Sequence, residues 1–276
     1  MDSSRPLGDA PDRSYVRKLE QFARFAEPEL KSIFAELALP PATVALDVGC
    51  GAGLATRWLR EQLGNGHVVG IDLSLPHLKA AQAHHRPLVQ ADGGRPCFRA
   101  GTFDFIWACN TLNHLADPVE ALRELRRLLG NGGRLALAQS GFLPDMFFAW
   151  DAPLEEAVRA ACHRAYRERY GLELADTAGI RGLVRFMLEA GFASVSTRTH
   201  VVERLQPLRG ADRDYLLHAI FEGAWGEKIL PFLTPDESAR LRRNCDPASP
   251  EYCLDRPDFH HVQTLTVCEG RIDLAT

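Results

Sequence analysis

The sequence predicts an α/β fold in which a doubly wound, mostly parallel sheet carries helices on both faces. Strand-like and helix-like segments alternate from about residue 14 to residue 140, and a short apolar run, "TVALDV", passes directly through spaced glycines into an amphipathic helix. Such alternation implies crossover connections, which in parallel sheets are right-handed.

Each element has a local reason. Leu19, Phe22, Phe25, Leu30, Phe34 and Leu37 fall at helical spacing, so residues 14–39 predict one broken helix or two, stopped by Pro40-Pro41. "TVALDV" is a buried strand, "GLATRWLREQL" a helix, "HVVGID" a strand, "SLPHLKAAQAH" a helix with Ser74 as N-cap, "PLVQAD" a short strand and "FDFIWAC" a strand. "DPVEALRELRRLLG" predicts a helix with Asp117 as N-cap, Pro118 in the first turn, basic residues late and Gly130 closing it, followed by the strand "GRLALAQS". The second half is less regular. Helices are expected over 153–170, 178–190 (ending at Gly191), 211–224 and 235–244, and strands over "SVSTRTHVVERL" and "HHVQTLTVCEG". Residues 1–13 read as a disordered leader. Without repeats or low-complexity linkers, 14–276 reads as one domain, its core at about 40–205 and 260–270 and its cap elements at about 14–39, 142–175 and 206–259.

Composition limits the function. The 276 residues are 46% hydrophobic, enough for a large core, and no apolar run reaches the ~18 residues of a membrane span. The polar N-terminus lacks the apolar stretch of a secretory signal. A net charge of −4 and a pI near 6.2 offer no broad attraction to a phosphate backbone, which argues against nucleic acid as partner. Seven cysteines without a pairing pattern fit reduced thiols in a cytoplasm.

The stretch "ALDVGCGAGLA" carries the function. A strand that ends and turns into a helix presents unpaired N–H groups and the positive end of the helix dipole at the carboxyl edge of the sheet, where ligands of open α/β sheets bind. Glycine is needed there for positive φ or for close approach of a ligand. The dinucleotide fingerprint G-x-G-x-x-G needs a glycine at 54 or a small residue at 56, but Leu54 and Thr56 stand there. The observed spacing is Asp47-x-Gly49-x-Gly51-x-Gly53, which disfavours NAD.

"LDVGCGAG" resembles the first motif of class I S-adenosylmethionine-dependent methyltransferases, and the later landmarks follow in that family's order. "VVGIDLS" resembles the second-strand segment whose acid, here Asp72, binds the two ribose hydroxyls. "QADGGRPCF" resembles the segment whose Asp, here Asp92, reaches the adenine amino group, although Gly93-Gly94 departs from the usual glycine and polar residue. "FDFIWACNTLNHLADPVEALRELRRLLGNGGRLALAQS" resembles the fourth strand, its helix and the fifth strand of the ubiquinone/menaquinone-biosynthesis-like branch. The resemblance covers about residues 40–142 and extends loosely through "FMLEAGFASVSTRTHVV". It implies a seven-stranded Rossmann-like methyltransferase fold with N-terminal helices and a helical lid inserted before the last strand. It further implies S-adenosylmethionine as cofactor, S-adenosylhomocysteine as product, and a cofactor site of Tyr15, Asp47, Gly49, Cys50, Gly51, Gly53, Asp72, Leu73, Asp92, Gly93, Asn110 and Thr111.

Methyl transfer from a sulfonium asks the protein to align an acceptor and exclude water, with a general base where the acceptor carries a proton. His114 is the candidate by position, and His260 and His261 in "DRPDFHHVQ" are the alternatives, against the plainer reading of packed structural histidines. "CNTLNHL" lacks both the Asn/Asp-Pro-Pro-aromatic signature and a Pro-Cys nucleophile, which with the acidic pI points to a small-molecule acceptor. Residues 206–259, rich in aromatics and prolines, read as a lid that with Tyr15, Phe22 and "GFLPDMFFAW" encloses an apolar pocket, or as aromatics packing the added helices. The spacing of Cys245, Cys253, Asp255, His260 and His261 matches no standard zinc pattern, so no metal is expected. The expected function is methyl transfer to an O, N or C nucleophile of a small, partly hydrophobic metabolite. A cofactor-binding regulatory protein without turnover is the alternative, an NAD-dependent oxidoreductase is less favoured, and a homodimer stays open.

Overall fold

Residues 14–39 form two helices, α1 Arg13–Phe25 and α2 Glu27–Glu36, because Ala26 (φ −90°, ψ 10°) leaves the helical region between them. Pro28 falls in the first turn of α2, where its missing N–H costs no helical bond, and Leu30, Ile33 and Phe34 make the buried face. The structure, a computed structural model, describes residues 13–115, 117–140, 146–147, 150–170 and 179–272. Arg13, assigned from sequence to the leader, is thus the first residue of α1, and the rest of the leader lies outside the described residues.

Strands and helices then alternate: β1 Val44–Val48, α3 Leu54–Leu63, β2 His67–Asp72, α4 Leu75–Ala81, β3 Leu88–Gln90, β4 Phe103–Cys109, α5 Pro118–Leu128 and β5 Leu129–Ser140. They are followed by β6 Met146–Phe147, α6 Ala152–Tyr170, α7 Gly179–Glu189, β7 Ala193–Leu205, α8 Gly210–Asp214, α9 Gly226–Ile229, α10 Pro235–Cys245 and β8 His260–Arg271. β1 pairs in parallel with β2 and β4, β2 with β3, and β4 with β5. The order is β3-β2-β1-β4-β5-β8, with β7 paired to β8; the two-residue β6 adds a short antiparallel pairing to the expected seven strands. Central strands buried on both faces read as continuous apolar runs, which is why "VALDV" shows no alternation. Strand order reverses between β1 and β4, the switch point at which open α/β sheets hold ligands.

Two caps differ from their expected form. Asp117 caps α5, its side chain accepting the Glu120 N–H, but the helix ends at Leu128 and Leu129 is already extended, so Gly130 lies inside β5. The register against β4 jumps from Phe103↔Leu129 to Phe105↔Arg134, and the turn glycine within that jump is Gly132, at φ 72°. Ser74 does stand at the N-cap of α4, but its hydroxyl makes no capping bond.

The chain divides into two compact units: residues 1–139, 179–200 and 266–276 in the first, residues 140–178 and 201–265 in the second. The first is built on one apolar core in which Leu46, Ile71, Ile106, Leu122, Leu135 and Met187 are wholly buried. Each such side chain contributes about 1.5–3 kcal/mol by leaving water. The N-terminal helices, grouped from sequence with the cap, belong to this unit.

The second unit holds α6, α8, α9 and α10. The helix expected over 211–224 is α-helical only to Asp214 and then π-wound over Tyr215–Trp225. A Cβ at Gly223 would lie 2.8 Å from the His218 carbonyl oxygen, so glycine admits the wide turn. Trp150, Phe221 and Trp225 cluster here with ring centroids 5.2–6.3 Å apart and are all buried. These three aromatics pack against one another within the second unit. Of "GFLPDMFFAW", the stretch 141–145 and 148–149 lies outside the described residues.

Candidate functional site

β1 delivers the chain at Val48 into a turn whose glycines all have left-handed backbone: φ is 70° at Gly49, 53° at Gly51 and 79° at Gly53. Space is as restrictive as angle. A Cβ at Gly49 would stand 2.3 Å from Thr111 Oγ1, and one at Gly53 would stand 2.8 Å from Ala81 Cβ. Gly53 is the N-cap of α3, and the Cys50 N–H bonds the Ile71 carbonyl at 2.9 Å, so the turn lies against the end of β2. The Cys50 side chain points into the protein: a Cβ on Gly70 would meet its Sγ at 3.1 Å, and burial pushes the thiol well up. Cys50 thus offers the turn its backbone, not its sulfur.

Asp72, last residue of β2, holds the turn. Its Oδ2 accepts the Gly51 N–H at 2.9 Å, while Oδ1 accepts the Ser74 N–H at 2.8 Å and lies 3.2 Å from His77 Nδ1. Leu73, next in sequence, is half exposed. Asp47 lies beneath the turn and is buried, its Oδ2 accepting the Thr56 hydroxyl at 2.5 Å. Burial raises its pKa to about 7; the Thr56 bond opposes the rise and the nearby Asp72 charge adds to it.

The remaining expected residues gather at the same edge in part. Asp92 is exposed and folds onto its own loop, its Oδ1 accepting the Gly94 N–H at 2.8 Å. Gly93 lies against β1, where a Cβ would come 2.8 Å from Val48 Cγ1. At the tip of β4 Asn110 is left-handed at φ 52°, its N–H bonded to the Ala138 carbonyl and its Oδ1 to Gln139 Nε2 at 3.1 Å. The Thr111 hydroxyl donates to the Val48 carbonyl at 3.0 Å or the Cys109 carbonyl at 3.1 Å, which ties the β4 tip to the β1 tip. His114 ends the short 3₁₀ turn Leu112–His114, its N–H bonded to the Thr111 carbonyl. Tyr15 lies in α1, with its side chain outside the described residues.

A family model described as a methyltransferase domain matches residues 46–137, the span that builds this edge. A malonyl-[acyl-carrier protein] O-methyltransferase of Pseudescherichia vulneris is 30% identical over 188 residues, which cover 60% of this chain and 74% of that one. The chain belongs to the class I S-adenosylmethionine-dependent methyltransferases. An uncharacterized 37.1 kDa protein in transposon TN4556 of Streptomyces fradiae is 31% identical over 227 residues, 79% of this chain and 63% of that protein. The chain thus spans under two thirds of that relative's length. A solved SAM-dependent methyltransferase of Thermotoga maritima, 14% identical, shares the fold with a TM-score of 0.50 over 94% of this chain and 98% of that one.

The other two candidate histidines, His260 and His261, both belong to the second unit. His260 Nε2 lies 2.8 Å from Glu203 Oε1. His261 is fully buried, and burial with the nearby Arg204 charge lowers its pKa to about 3. An imidazole held so far below neutrality is a poor proton acceptor near pH 7, which weighs against His261 as the base. Among the described residues no three His, Cys, Asp or Glu side chains gather as a metal site, and no helix is long and apolar enough to cross a membrane.

Three partners at the site are absent from the sequence reading: Thr56 under Asp47, His77 beside Asp72 and Gln139 on Asn110. Thr56 and His77 each stand in the first turn of the helix after their acid, a spacing that could have signalled them. Gln139 could not have been found this way, since it meets Asn110 only through the pairing of β4 with β5.

Proposed function

We propose that this methyltransferase transfers the methyl group of S-adenosylmethionine to an O, N or C nucleophile of a small, partly hydrophobic metabolite. The observation that carries the reading is the bond from Gly51 to Asp72, which sets an acid beside a turn of three left-handed glycines. The cofactor fits this arrangement. The backbone of the Gly49–Gly53 turn would meet its methionine end, Asp72 would accept a ribose hydroxyl, half-exposed Leu73 would lie along the purine, and Asp92 would take the adenine amino group. S-adenosylmethionine supplies an activated methyl group when bound.

What the chain adds is orientation and exclusion of water, which can account for several kcal/mol of barrier lowering, about 7–11 at most. We take His114, in the turn after β4, as the candidate to accept a proton from a hydroxyl or ammonium acceptor, on its position in the chain. A small acceptor is favoured by the net charge of −4 and by "CNTLNHL", which lacks the signature that grips an exocyclic amino group.

Calorimetric titration of the full chain with S-adenosylmethionine, S-adenosylhomocysteine and NAD in parallel tests the cofactor, and a methyl-labelled cofactor with a panel of small acceptors tests transfer. Binding of both sulfur compounds with label transferred to one acceptor supports the reading. Binding of NAD alone overturns it, and sulfur-cofactor binding without transfer to any acceptor favours a cofactor-binding protein without turnover.

A further inference from the structure

The Asp72 carboxylate is more heavily engaged than the turn alone requires. A carboxylate offers about four lone-pair sites, two on each oxygen. Oδ1 meets two donors, the Ser74 N–H at 2.8 Å and His77 Nδ1 at 3.2 Å, whereas Oδ2 meets one, the Gly51 N–H at 2.9 Å. Among the described residues Oδ1 therefore has two donors and Oδ2 one, which leaves Oδ2 the less occupied oxygen.

Two of these donors are backbone groups that any sequence with this fold supplies. The third is a chosen side chain. His77 stands in the first turn of α4, five residues after Asp72, and its ring and the carboxylate are both largely enclosed, with side-chain exposures of 9% and 12%. An imidazole nitrogen this near a carboxylate oxygen serves as donor when Nδ1 carries the proton. Because both groups are shielded, the bond is little weakened by competing water. Ser74 leaves this work to its backbone, since its hydroxyl makes no bond to the carboxylate or to the helix.

We infer that His77 is a positioning residue for the cofactor's ribose, fixing the rotation of the Asp72 carboxylate so that Oδ2 is the oxygen with room for a hydroxyl. The inference rests on the reading of Asp72 as the ribose acid. Without the imidazole, Oδ1 keeps only the Ser74 N–H, the carboxylate can turn about its Cβ–Cγ bond, and the ordering that the folded protein now provides must be met on binding.

The test is calorimetric titration of the full chain with S-adenosylhomocysteine, using His77→Met, His77→Asn, Asp72→Asn and the His77→Met/Asp72→Asn double variant, with circular dichroism to confirm folding. His77→Met removes the donor and keeps an apolar filler, and is expected to weaken binding about tenfold. His77→Asn, whose amide N–H stands near the Nδ1 position, is expected to stay within about threefold of wild type. In the Asp72→Asn background, His77→Met is expected to add less than about twofold, because its effect passes through the carboxylate. Wild-type affinity in His77→Met, equal losses in the Met and Asn variants, or simple additivity with Asp72→Asn each overturn the assignment. Absence of S-adenosylhomocysteine binding by the wild-type chain instead removes the cofactor reading, and the role of His77 falls with it. Binding by wild type with any of the three failures removes the role of His77 alone.

Discussion

Gly51 gives its backbone N–H to Asp72 Oδ2 at 2.9 Å, joining the turn after β1 to the tip of β2 across 21 positions of sequence. One side chain thereby shapes the turn. On the proposed reading of Asp72 as the ribose acid, cofactor affinity and turn geometry are coupled through a single carboxylate.

Replacing Asp72 with Ala is expected to weaken S-adenosylhomocysteine binding by about 1–3 kcal/mol, the range for loss of charge-assisted hydrogen bonds. Titration calorimetry reads it directly, and an unchanged affinity would remove Asp72 from the site.

Gly49→Ala places a methyl group 2.3 Å from Thr111 Oγ1 and at a φ of 70°. The expected loss is about 1–3 kcal/mol of stability, with loss of cofactor affinity. Adding Thr111→Ala removes the two nearest atoms, so thermal unfolding of the double variant should recover part of the loss, the φ strain remaining.

Asp47 makes stability depend on pH. Its folded pKa of about 7 lies above the ordinary carboxylate value of about 3.9, so the folded state holds the proton more tightly than the unfolded chain. The stability this contributes is fully present below about pH 4 and is lost as pH rises through about 7, on the order of 4 kcal/mol in all. Asp47→Asn should lack this term, so its unfolding temperature relative to wild type should rise steadily from about pH 4 to about pH 8. A constant difference over that range would contradict the assignment.

With a hydroxyl or ammonium acceptor in hand, His114→Ala is expected to lower kcat by about a hundredfold or more while the dissociation constant of S-adenosylhomocysteine changes little. Turnover at the wild-type rate would make His114 a packing residue.

In the second unit, buried Asp212 accepts from Arg204 Nε at 2.9 Å and from Arg209 Nη2 at 2.6 Å. The paired arginines hold its carboxyl below the ordinary carboxylate range, although burial opposes them. Asp212→Ala leaves the enclosed Arg204 charge without this partner, and a loss of about 3–5 kcal/mol is expected in denaturant unfolding.

Much of this site could be read along the chain. "DVGCGAG" behind an apolar run demanded left-handed glycines at a strand–helix turn, and all three have them, because φ preference and missing Cβ are properties of single residues. Element order was equally legible, since the burial period of a strand or helix is written locally. The cap of α5 at Asp117 followed the same logic, whereas Gly130 did not close that helix: the β4–β5 register took the chain into a strand first.

The fold class and the kind of turn after β1 were thus written in the sequence, because each follows from local backbone preference and hydrophobic period. It took the folded chain to bring Thr111 beside Gly49 and Gln139 onto Asn110, and to wind the run after Asp214 as a π-helix. Those outcomes depend on which strands become neighbours and on how space is shared between residues far apart in the chain. No periodicity along one segment contains that information.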